Sequence, residues 1–80
     1  MKREPTKRQL VKGYLSINAV QLKDIVDFSG AKYKTVNNVL NGYGKSDKVR
    51  KAVIELIRRS RPADAEKIEE IWPEGEQLAA

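Results

Sequence analysis

Apolar residues recur along this chain at three- and four-residue intervals and nowhere alternate with polar ones for long, so the pattern predicts helices rather than strands. Leu10, Val11, Tyr14 and Leu15 fall on one face of a first helix. Thr6 can cap that helix, Gln9 three residues on completes a capping box, and Pro5 stands just outside. Gly13 weakens it by roughly 1 kcal/mol relative to Ala, unless a neighbour needs the close approach. A second helix is expected from about Gln21 to Ser29, burying Leu22, Ile25, Val26 and Phe28, with Val20 placed to staple against Ile25. A third runs from about Lys32 to Asn41 with Val36, Val39 and Leu40 inward, and Asn41-Gly42 reads as its stop. Ser46 caps a fourth helix with Asp47 in its first turn and an inward stripe of Val49, Ala52, Val53, Leu56 and Ile57. Pro62 ends it. A fifth, about Ala63 to Ile71, offers Ala65, Ile68, Ile71 and Trp72 before Pro73.

The expected fold is all-α, a compact bundle of four to five short helices containing a helix-turn-helix. Eighty residues give room for one small domain. The expected organisation is a basic N-terminal arm over 1–5, the helical domain over 6–73 and a frayed acidic tail over 74–80.

Composition removes whole classes of chemistry. The chain has no His and no Cys, which excludes disulfide scaffolds, zinc fingers, iron–sulfur sites, Cys nucleophiles and imidazole catalysis. Ser16, Ser29, Ser46 and Ser60 therefore have no imidazole to activate them, and no carboxylates gather at a ligand spacing. No enzyme activity, metal, cofactor or small-molecule ligand is expected. The apolar runs are too short to span a bilayer and the first residues lack a secretory signal's apolar stretch, so no membrane partner is expected and the expected location is the cytoplasm, in association with the nucleoid.

Charge is unevenly distributed. The formal net charge is +5, but residues 1–61 hold fifteen bases against five acids, and residues 62–80 hold one base against six acids. A one-sign field of that size suits a polyanionic partner, because phosphate neutralisation releases condensed counterions.

The stretch from Leu22 to Asn41 carries the specific signal. One helix ends at Gly30, a residue suited to the left-handed conformation, and another begins two or three residues later. Ser29 and Ala31 are small enough to let the helices approach, and Ile25 faces Val36 and Val39. This is the helix-turn-helix pattern, whose second helix enters the DNA major groove. The stretch resembles the headpiece of lactose-repressor-type regulators through Leu22, Asp24, Gly30, Tyr33, Thr35, Val36, Val39 and Asn41. It is also similar to the Cro and phage-repressor class, in which a helix precedes the motif. The resemblance covers roughly residues 20 to 57. Val26 and Ser29 depart from it, Val26 standing where Ala is usual and Ser29 where an apolar residue or Ala is usual, and nothing resembling the hinge helix or sugar-binding domain follows in this sequence. Ile71-Trp72-Pro73 is similar to the ending of small phage regulators of the Ner type.

The outer face of the third helix has its own chemistry. Asn pairs bidentately with adenine, Lys donates to guanine O6 or N7, and Tyr reaches a thymine methyl or a phosphate. The resemblance implies base contacts from Tyr33, Lys34 and Asn38, with Lys32 and Asn37 as further candidates. Thr35, Asn41, Tyr43 and Lys45 suit phosphate contacts at the rim. Adjacent Asn37 and Asn38 are poor helix formers that a solvated surface would not select, which points to a use. Lys2, Arg3, Lys7 and Arg8 form an arm able to reach phosphates or a neighbouring groove. Arg58, Arg59 and Arg61 can cap the fourth helix, touch DNA or pair with the acidic tail, and pairing with Glu66, Glu69 or Glu70 is the expectation.

The expected function is that of a sequence-specific, double-stranded-DNA-binding transcriptional regulator, a small phage-like repressor. It is expected to bind a palindromic operator as a homodimer, with Ile68, Ile71 and Trp72 either closing the domain's own core or forming a dimer seam. Two alternatives use the same helices: a protein-interaction or RNA-binding module, and a DNA-binding antitoxin whose acidic segment covers a toxin.

Overall fold

The computed structural model describes residues 4–78, which form five α-helices: α1 (Lys7–Ile17), α2 (Leu22–Ser29), α3 (Tyr33–Leu40), α4 (Asp47–Ser60) and α5 (Pro62–Ile71). The local signals act where the sequence puts them. Thr6 Oγ1 accepts from the Gln9 N–H at 3.2 Å while Gln9 Oε1 accepts from the Thr6 N–H at 2.8 Å, closing the capping box. Ser46 Oγ accepts from the Val49 N–H at 3.3 Å. At Gly30 the backbone turns left-handed, with φ of +74°, and its N–H returns to the Val26 carbonyl. Pro62 both stops α4 and opens α5 as its first residue, because its missing N–H has no helical partner to lose there.

Helix α4 is the centre of the packing and lies against α2 and α5, while α1 crosses α3, α4 and α5. Every fully buried side chain among the described residues is apolar. Val11 and Leu15 from α1, Ile25 from α2, and Val36, Val39 and Leu40 from α3 enter the core as their spacing predicts. Because α4 is covered from two sides, its buried arc is wider than one stripe. Ile54 is buried with Val49, Ala52, Val53 and Ile57, and Leu56 is only half-buried.

Two expectations are corrected, and one alternative left open by the sequence is decided. Phe28 is 42% exposed. Leu22, Ile25, Val26 and Ser29 already occupy the inward i, i+3, i+4, i+7 positions, and Phe28 falls on their flank, where the Arg59 guanidinium lies 4.9 Å from its ring centre. The segment after Pro73 is anchored, at least as far as Leu78. Trp72 Nε1 donates to the Glu76 carbonyl at 2.9 Å, Asp47 Oδ1 accepts from the Gly75 N–H at 3.2 Å, and Leu78 is fully buried. A lone Leu among acids gives no periodicity, so this anchor escaped the sequence pattern. Finally, Ile68 and Trp72 are fully buried within the chain and Ile71 half-buried, so α5 closes this domain's own core rather than offering those residues as a seam.

Candidate nucleic-acid interface

Helix α3 is short, and its three buried residues leave most of its circumference outside. Lys32, Tyr33, Lys34, Thr35, Asn37 and Asn38 are all exposed, with Tyr33 at 59%. Tyr43, at 78%, and Lys45 are exposed in the loop that follows. The base-contact candidates thus share one solvent-facing surface, with two rim candidates beside its C-terminal end. No side-chain hydrogen bond from Tyr33, Lys34 or Asn38 occurs among the described residues, so their polar groups are not engaged by those residues.

The N-terminal end of α3 is open. Thr6 and Ser46 side chains cap α1 and α4, and Asp24 Oδ2 accepts from the Gln21 N–H at the start of α2. Lys32, at the corresponding position of α3, makes no capping bond. The first-turn amides, together with the positive end of the helix dipole, are therefore free to meet an anion. Lys32, Lys34 and Lys45 have no carboxylate within 4 Å among the described residues, where the ion pairs join Arg58 to Glu55 and to Glu69. The cations around α3 are unneutralised by the fold.

Asn41 departs from the role assigned to it. It is half-buried and closes α3, and both ends of its side-chain amide are hydrogen-bonded within the protein. Oδ1 accepts from Lys12 Nζ at 2.6 Å, and Nδ2 donates to the Asn37 carbonyl at 2.9 Å and to Asn37 Oδ1 at 3.2 Å. Asn41 is thus a brace between α1 and α3 rather than a free phosphate ligand. Arg8 is corrected in the same way. Its Nη1 donates to the Asn41 carbonyl at 3.0 Å, so it is drawn into the domain at the negative end of the α3 dipole. Lys7 stays exposed, and Lys2 and Arg3 lie outside the described residues. Sequence reasoning missed both links from α1, because bonds between residues 29 and 33 positions apart leave no periodic trace.

Of the basic cluster at the end of α4, Arg58 pairs with Glu69 as expected, Arg59 covers Phe28 instead, and Arg61 is exposed. Among the described residues no group of three or more carboxylates is placed to hold a metal ion, and no helix is long and apolar enough to cross a membrane. In comparisons with known proteins, no family model, no curated protein and no solved structure matches the chain.

Proposed function

We propose that this protein binds double-stranded DNA sequence-specifically and regulates transcription, with α2 and α3 acting as a helix-turn-helix and α3 as the reading helix. The observation that carries the reading is the outer face of α3, where Tyr33, Lys34, Asn37 and Asn38 project into solvent from a helix whose opposite side is locked in the core. Asn38 and Lys34 present the donor and acceptor groups that distinguish base edges in the major groove. Lys32, Thr35, Tyr43, Lys45 and the uncapped amides of α3 supply phosphate contacts that fix register without reading sequence. The excess of bases over residues 1–61 supplies the long-range attraction.

One eight-residue helix contacts few base pairs, and two copies on a two-fold symmetric site multiply its affinity. The reading therefore includes a homodimer on a palindromic operator, paired through a surface other than the buried Ile68 and Trp72.

Selection of bound duplexes from a random pool tests it. The expected product is a defined, two-fold symmetric sequence held more tightly than scrambled duplex. Equal retention of all sequences would remove the specific reader, and retention of single-stranded RNA instead would favour the RNA-binding alternative.

A further inference from the structure

The contacts of Asn41 determine which base edge Asn37 can read, an inference that rests on the proposal that α3 reads DNA. Amide side chains carry one donor end and one acceptor end, so an Asn recognises different bases according to which end faces out. Lys12 Nζ is an ammonium and can only donate, so the Asn41 atom 2.6 Å from it is the amide oxygen. The other end of that amide is then Nδ2, and it meets the Asn37 carbonyl, which can only accept, at 2.9 Å. The same Nδ2 lies 3.2 Å from the Asn37 side chain, which must therefore turn its own oxygen inward. The polarity set by one ammonium on α1 passes through Asn41 to the surface of α3. Arg8 Nη1 holds the Asn41 carbonyl at 3.0 Å, and Lys12 and Asn37 line one open groove with residues of α1, α2 and α3, so the hydrogen bonds set the positions of these side chains.

We infer that Lys12 and Asn41 are positioning residues that hold Asn37 with its Nδ2 donors outward, so that Asn37 reads the two acceptors of guanine, O6 and N7. Adenine needs a donor and an acceptor together from an Asn. Asn38, which makes no side-chain hydrogen bond among the described residues, is free to supply both. The neighbouring asparagines thus divide the work, Asn37 taking guanine and Asn38 adenine.

The test compares the full chain with Asn41→Asp and Lys12→Met, using the duplex selected by the wild type and single-base variants of it. In Asn41→Asp a carboxylate still accepts from Lys12 but offers Asn37 no donor. The Asn37 amide then turns its Nδ2 inward and its oxygen outward, and the preference at its base pair moves from guanine toward a base that offers an amino donor, cytosine N4 or adenine N6, by about tenfold. Lys12→Met relaxes the same preference severalfold and leaves the Asn38 position unchanged. An unchanged guanine preference in Asn41→Asp, or a uniform loss at every base pair, overturns the relay while leaving the DNA reader standing. A second readout needs no DNA: in the free protein the Asn41 side-chain amide protons exchange with solvent more slowly than those of Asn38, and equal exchange overturns the relay even if no duplex is bound. Failure of the wild type to select any duplex, with that slow exchange intact, counts instead against the reading of α3.

Discussion

Arg50 Nε donates to the carbonyl oxygen of Trp72 at 2.7 Å, tying the first half of α4 to the point where the chain leaves α5. That carbonyl has no helical partner, and a partly buried guanidinium satisfies it with a charge-assisted bond. The Trp72 ring, 1% exposed, sits beneath the same contact and makes its own bond to the Glu76 carbonyl. Arg50→Met keeps the aliphatic stem and removes the donor. It is expected to lower stability by about 1–2 kcal/mol, read from urea unfolding. An unchanged midpoint would show that water replaces the bond without loss.

Gly30 and Gly42 share left-handed backbone, at φ of +74° and +84°, but differ in surroundings. A Cβ at Gly30 would meet nothing, whereas one at Gly42 would collide with the Leu78 carbonyl oxygen and crowd the Arg8 side chain. Gly30→Ala should cost only the conformational strain, about 1–2 kcal/mol. Gly42→Ala should cost distinctly more, because the anchored segment around Leu78 must move. Thermal unfolding of both variants gives the comparison, and equal losses would mean that the Leu78 segment shifts freely.

Gly13 lies inside α1, and a Cβ there would touch nothing within 4 Å. No neighbour uses the missing side chain. Gly13→Ala is expected to raise stability by up to about 1 kcal/mol through helix propensity and a less disordered unfolded chain. A loss of stability would reveal a constraint on α1 that the packing does not contain.

These glycines also mark what was legible in the sequence. Residues that signal locally were readable: Thr6 with Gln9, Ser46, Gly30 and Pro62 set element boundaries through contacts within a few positions of themselves. The inward positions of α3 were readable because the helix is covered on one side only. Phe28 and Ile54 were not, since their burial depends on how many partners each helix has, which no single-helix period encodes. The polar face of α3 was legible as a surface. The engagement of Asn41 with Arg8 and Lys12 was not, because donor and acceptor meet only once α1 has crossed α3. Leu78 gave no signal at all, as one apolar residue among turn and acidic residues has no pattern to belong to.

Asn38 is the sharpest test residue on the reading face, being exposed and unbonded in the free protein. Asn38→Ala should weaken binding to the selected duplex by about 1–3 kcal/mol, leave affinity for scrambled duplex unchanged, and keep or slightly raise Tm. Calorimetric titration and thermal unfolding of the one variant give all three values. A marked fall in Tm would make Asn38 a structural residue.

Chemical-shift mapping of the labelled protein during titration with its selected duplex tests the proposed reading most directly. The account predicts that the largest changes fall on Lys32 to Asn38, with smaller ones at Tyr43 and Lys45, and that they shrink steeply as salt is added. Changes confined to the acidic surface of α5, or none at low ionic strength, would contradict it.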